Sequence, residues 1–122
     1  MRVLDGEQLL VRIFVGEADK WHHQPLERAL LERLRREGFA GATVWRGLAG
    51  FGASSVIHTA NLVDMSSDLP MIIEVVDDQA HVDKLLPILD EMLTGGALVT
   101  LEKVRVLKYA TSGSPRRRAE RG

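Results

Sequence analysis

Gly47, Gly50 and Gly52 fall within six residues of one another in the stretch WRGLAGFGASSVIHTA, with Phe51 between the last two. Ser54 and Ser55 follow, and His58 opens the next apolar run. A glycine-rich path can approach a ligand closely and present backbone N–H groups to an anion without side chains in the way. The same glycines also suit a bulged β-hairpin turn or a loop that docks on a partner. The spacing superficially resembles a dinucleotide fingerprint. That motif needs a strand, the glycines and then a helix, and the β-prone residues after Ser55 predict a strand instead.

Other groups with chemical potential are scattered. Glu17, Asp19, His22 and His23 form the densest set of metal-ligand types, but adjacent histidines usually diverge, whereas the common zinc motif separates them by a helical turn. His58 begins a strand beside the glycine loop; histidine is the side-chain type whose charge changes near neutral pH, and a plain strand histidine also accounts for it, while His81 is expected to be exposed. Asp64, Asp68, Asp77 and Asp78 are explained by helix capping and turn formation. No spacing supports a Ser–His–Asp set or a pair of catalytic carboxylates, so an enzyme is not expected.

The elements that must position these residues fit in one domain, because 122 residues make one core. Apolar residues are 45% of the chain and aromatics 5%, so that core must be built mainly from Leu, Val, Ile and Ala. There is no cysteine, which excludes disulfides, thiolate chemistry and cysteine-type zinc. The charged N-terminus does not suit a secretory signal. No apolar run reaches the ~18 residues of a membrane span. These features predict a cytoplasmic protein without membrane insertion. From Thr111 onward four arginines and one glutamate give +3, so the remaining twelve basic and sixteen acidic groups give residues 1–110 a charge of −4. An acidic body lacks the basic footprint of a nucleic-acid binder. The tail 111–122 is polar and aperiodic, and is expected to be disordered.

Alternation predicts a strand over Glu7–Val15, with Val11, Ile13 and Val15 on one face and Leu10 and Phe14 on the other. Pro25 and the helical spacing of Leu26, Ala29, Leu30 and Leu34 predict a first helix, closed by Gly38, with Glu32 and Arg36 as an exposed i,i+4 pair. Strands are predicted over Thr43–Leu48, His58–Met65 and Met71–Val76. A second helix follows, with Val82, Leu85, Leu86, Leu89 and Met92 on its buried stripe. Burying five such side chains contributes on the order of 10 kcal/mol gross. Gly95-Gly96 ends it, and Leu98–Leu101 and Val104–Tyr109 are predicted as the last strands. The order β-α-β-β-(β)-α-β-β predicts an α+β, ferredoxin-like split βαβ sandwich, with two helices on one face of an antiparallel sheet. The other face keeps apolar residues where a solvated face would alternate cleanly. A second copy of the chain is its natural cover.

Several ordered blocks resemble the PII-like family known as domain of unknown function one-ninety: GEADKWHHQPL, GATVWRGLAGFG, IHTA, DLPMIIEVVDD and LPILDEMLTGGALVTLEKVRVLKY. They cover Leu9 to Tyr109. The resemblance extends to the PII nitrogen-signalling proteins and implies a ferredoxin-like subunit assembled as a homotrimer. It also implies that the segment from Gly47 to Ala60 is the base of a short form of the mobile loop through which PII proteins meet protein targets. It further implies a cleft between subunits that takes a nucleotide or another small anion. Gly47, Gly50, Phe51, Gly52, Ser54, Ser55 and His58 would contribute to it from the loop. Gly95 and Gly96 would contribute from the connection after the second helix, and Lys103, Arg105 and Lys108 from the last strand. The connection here has no lysine before Lys103, and Met71 stands where PII proteins carry a lysine. The expected function is a PII-like signalling or regulatory trimer, with its ligand and any cofactor unidentified. The alternatives are a ligand-free structural or adaptor trimer, and a metal-binding trimer of the copper-tolerance type.

Overall fold

The computed structural model describes residues 2–51, 58–59 and 68–110. The expectations for Gly52, Ser54, Ser55, most of the strand after His58 and the tail 111–122 lie outside these residues. Strand β1 (Gly6–Gly16) is the spine. A two-residue hairpin follows, β2 (Lys20–Trp21) and β3 (Gln24–Pro25), then helix α1 (Leu26–Arg36) and strand β4 (Thr43–Arg46). Short strands β5 (Ala49–Gly50) and β6 (His58–Thr59) pair with each other. Strand β7 (Pro70–Asp77), helix α2 (Gln79–Met92) and strand β8 (Leu98–Val106) complete the chain.

The main sheet runs β4-β7-β1-β8, antiparallel throughout. This is the expected ferredoxin-like arrangement. Val11, Ile13 and Val15 of β1 and Met71, Ile73 and Val75 of β7 are buried with Leu30, Leu34, Leu85 and Leu89 of the helices. One core layer therefore lies between the sheet and both helices. Leu10 and Phe14 turn to the opposite face, as their alternation requires.

The structure corrects several details. The last β segments are one continuous strand rather than two, because Glu102 and Lys103 pair with Leu10 and Leu9 of β1 without interruption. On α2, Leu86 is 61% exposed and Ile88 takes its place in the core. The buried stripe follows Leu85, Ile88, Leu89 and Met92, and Leu86 falls on its outer side. The i,i+4 ion pair of α1 is Arg33–Glu37 rather than Glu32–Arg36. Gly38, at φ +84°, ends α1 as expected. The N–H of Phe39 bonds to Leu34 O and that of Gly38 to Arg35 O, the two bonds of a Schellman cap.

The hairpin β2–β3 has no signal in the sequence, because its two-residue turn is His22-His23. Their φ angles are +48° and +72°, in a region L residues enter at a cost and glycine enters freely. The ring of His22 stacks on Trp21 at 4.1 Å between centroids. Relief of this strain gives a direct check: His23→Gly should raise stability by about 0.5–1 kcal/mol in urea unfolding. Unchanged or lower stability would mean that the turn carries no such strain.

Candidate functional site

The glycine segment begins at the C-terminal end of β4 and closes onto the start of β7. The N–H of Gly47 donates to Pro70 O at 2.7 Å. A Cβ on Gly47 would lie 2.5 Å from Cγ of Pro70, and one on Gly50 would lie 3.1 Å from the same atom. Both glycines therefore let the backbone lie flat on the Pro70 ring. Gly50 pairs with His58 and Ala49 with Thr59, which holds the base of the loop as a short ladder. Leu48 and Phe51, between and beside these glycines, are exposed.

A polar platform adjoins this base. Arg46 forks onto Glu17, with Nε 3.0 Å from Oε2 and Nη2 donating to Oε1 at 3.1 Å. Asp68 accepts from Ala18 N at 2.7 Å and Asp19 from Gly16 N at 2.9 Å. Glu17 and Asp19 are thus engaged in ion pairing and turn formation, and the structure does not gather them with His22 and His23 into a ligand set.

Gly95 and Gly96 lie in the connection to β8, whose first residue, Leu98, pairs with Phe14 near the same end of the sheet. They are at the opposite edge from the loop, because β4 and β8 are the two outer strands. Lys103 and Arg105 pair with Leu9 and Glu7, toward the far end of β1. Pro70, under the glycine loop, pairs with Gly16. From Gly16 to Glu7 is nine residues, roughly 30 Å at ~3.3 Å each, and the three strand spacings add ~14 Å sideways. The expected site residues among those described therefore lie apart: Gly47 and Gly50 at one edge of the sheet, Gly95 and Gly96 at the other edge, and Lys103 and Arg105 toward its far end, so a single copy does not bring the loop glycines and the basic residues together. Met71, where PII proteins carry a lysine, is buried in the core.

A further cluster sits at the junction of β7 and α2, where sequence reasoning expected only a cap. Asp78 does cap α2, accepting from His81 N at 2.9 Å, and its Oδ1 lies 2.8 Å from Nδ1 of His81, which is largely buried rather than exposed. Asp77 is fully buried. It binds the Arg2 guanidinium through both oxygens, at 2.6 and 3.0 Å, and accepts from the N–H groups of Ala40 and Asp78 at 2.8 Å each. Arg2 also donates to Gly38 O at 2.8 Å. Asp77, Asp78 and His81 form the one grouping with metal-ligand geometry among the described residues, and the chain's own Arg2 cation already engages it. Burial alone would push the Asp77 carboxyl up, but Arg2 and the two backbone N–H groups outweigh this and hold it below its ordinary value. Asp78 is held low chiefly by the N–H and ring of His81.

Comparison with known proteins follows this geometry. Residues 8–106 match the profile of the uncharacterised ACR family designated DUF190. A UPF0166 protein of Aquifex aeolicus is 35% identical over 88% of this chain and 98% of its own. One from Methanocaldococcus jannaschii is 31% identical over 84% and 94%. Among solved structures, a PII-like signalling protein from Thermus thermophilus superposes with a TM-score of 0.61 at 22% identity, over 84% of this chain and 93% of that one. The protein CPII from Thiomonas intermedia, bound to ADP and bicarbonate, superposes at 0.60 with 19% identity, over 84% and 90%.

Two outcomes are expected from these contacts. Gly47→Ala should cost about 1–3 kcal/mol through its clash with Pro70, whereas Gly95→Ala, which meets open space, should stay within about 0.5 kcal/mol. Because the folded pKa values of Asp77 and Asp78 are depressed, their stabilisation is present above the ordinary carboxylate range and is lost as pH falls through the folded values. Arg2→Met should cost about 2–3 kcal/mol at neutral pH, discounted for the partial exposure of Arg2. It should also move the acid-unfolding midpoint, followed by circular dichroism, to higher pH. An unmoved midpoint would show that Arg2 does not hold Asp77 ionised.

Proposed function

The chain belongs to the DUF190 family and has the PII-like fold, and from that premise we propose that it is a homotrimeric signalling or regulatory protein rather than an enzyme. It binds a small anionic ligand in a cleft between subunits and signals through its short glycine-rich loop. The observation that carries this reading is the separation of the two residue groups. Gly47 and Gly50 lie by one edge strand, and Lys103 and Arg105 lie on the other. A cleft lined by both must take one group from each of two copies. Gly52, Ser54, Ser55, His58, Gly95, Gly96 and Lys108 are assigned to the same cleft through the family resemblance.

The surface of the sheet supports association between copies. Strand β8 pairs only with β1 among the described residues, and it exposes Leu98 on one face and Leu101 on the other, at 57% and 55%. Trp45, Ile72, Phe14 and Leu98 are in register across all four strands of the open face. Four strands, the longest of eleven residues, make a face of at most roughly 19 by 36 Å, comparable with one partner's share of a standard interface. A long bare edge strand with apolar faces is an aggregation hazard unless a partner covers it. The ligands of CPII, ADP and bicarbonate, make these anions the first to try here. A second reading, a ligand-free adaptor, draws on the exposed Leu48 and Phe51 at the loop, which suit a protein target.

Light scattering should give three times the 13.5 kDa chain mass. A thermal-shift screen of ADP, AMP, bicarbonate and phosphate should find a stabiliser, since ligand at about 100 times its dissociation constant adds ~2.7 kcal/mol. Gly50→Val should abolish that shift and keep the trimer mass. Arg105→Gln should weaken binding by about 1.5–3 kcal/mol for a lost charge-assisted hydrogen bond. A trimer that responds to none of these anions would favour the adaptor, and a monomer at micromolar concentration would overturn both readings.

A further inference from the structure

The open face of the sheet carries a short polar cluster between its apolar rows. Arg12 of β1 donates through Nε to Glu74 Oε2 of β7 at 2.7 Å, and through Nη1 to Glu102 of β8. The indole N–H of Trp45 donates to the other oxygen of Glu74 at 2.9 Å. Among the described residues in register on this face, β1 contributes one cation, β7 and β8 one carboxylate each, and β4 no charged group. The neighbouring charges of β8, Lys103 and Arg105, alternate to the helix side. One guanidinium thus serves two carboxylates, and the paired face carries a net charge of −1.

We propose that this unbalanced cluster makes association between copies through the open face proton-dependent, with Glu102 as the residue that tunes it. The inference rests on the trimer proposed above. Covering the face removes water from the cluster of every copy, where like charges repel more strongly than in water. Three copies would gather three excess negative charges around one interior. Glu74 is fixed by two donors, and Arg12 with the Trp45 indole holds its carboxyl below the ordinary value. Glu102 has Arg12 alone and is half exposed in the single copy. It is therefore the group whose charge is least compensated when the face closes. A carboxyl pressed against like charge takes up a proton more readily. Assembly then takes up protons, and by linkage it tightens as pH falls.

The inner ion pairs are consistent with assembly through this face. Every charge on it has a partner within the same copy, so closure strands no wholly unpaired ion, which would be the strongly unfavourable case. The apolar row of Trp45, Ile72, Phe14 and Leu98 runs beside the cluster and supplies the contact area. A second copy offers the same row and the same cluster, in keeping with the symmetric association of identical chains.

The test uses the full chain at pH 8 and pH 5. Sedimentation on serial dilution reads the assembly constant, and exchange between isotope-labelled and unlabelled copies reads it kinetically if the trimer survives dilution. Assembly at pH 5 should be tighter than at pH 8, by about two- to threefold for each copy in the trimer. Exchange should slow correspondingly. Glu102→Gln should be tight at both pH values and lose the pH dependence. Arg12→Gln, which leaves both carboxylates without their cation, should weaken assembly at pH 8 and steepen its dependence on pH. A trimer with the same dilution and exchange behaviour at both pH values, or a Glu102→Gln chain that keeps the parent's pH dependence, would overturn the inference and leave the trimer standing. A monomer under every condition would overturn the trimer reading itself.

Discussion

The buried carboxylate of Asp77 is the constraint on which the subunit's connections depend. It sits where β7 ends and α2 begins, a position the β-period assigns to the core face. An unpaired carboxylate there would be very unfavourable. The chain answers it with Arg2 from the N-terminal arm and the Ala40 N–H from the connection between α1 and β4. Arg2 reaches on to Gly38 O, just past the end of α1, and the Tyr109 hydroxyl donates to Ala40 O at 3.3 Å. Both ends of the described chain are thus fastened to one connection, beside the start of α2. The apolar contacts of the core, which also hold the helices on the sheet, are not directional.

The same topology that gives a single core layer also divides the chemistry of the subunit. In the order β4-β7-β1-β8, the strands carrying the glycine loop and the basic residues are placed at opposite edges. The helices cover one face, and β8 receives no comparable cover. Its neighbour β1 is buried on the inner side, while Leu98, Val99 and Leu101 of β8 stay exposed on its two faces. In the proposed trimer, a further copy covers the apolar row and the edge of β8 and brings the two separated groups of residues together.

The loop base shows how a glycine motif answers a packing need. Gly47 and Gly50 are required by the Pro70 ring, which leaves no room for a Cβ at the first and little at the second. That contact anchors the start of the loop to the central strand β7. Leu48 and Phe51 are then held out from a firm base. His22-His23 presents the reverse case: residues with large side chains occupy a turn whose backbone favours glycine.

What the sequence by itself determined was periodic. Alternation in β1 separated its two faces residue by residue, and helical spacing placed α1 and most of the stripe of α2, because side-chain direction follows backbone period. Punctuation by Gly38 was equally readable, since a positive φ at a helix end favours glycine whatever surrounds it. Tertiary structure alone decided the rest. Asp77 and Asp78 are identical in type and adjacent, yet Asp78 caps a helix and Asp77 is the buried hub. The difference lies in the partners brought to Asp77, which come from Arg2 and Ala40, 75 and 37 residues away. Gly47 gained its reason from Pro70, and β8 became one strand through its unbroken pairing with β1. The two halves of the candidate site were separated by the strand order. Local sequence carries conformational preference, but it does not record which distant residue will arrive to satisfy a buried charge, a close contact or a strand edge.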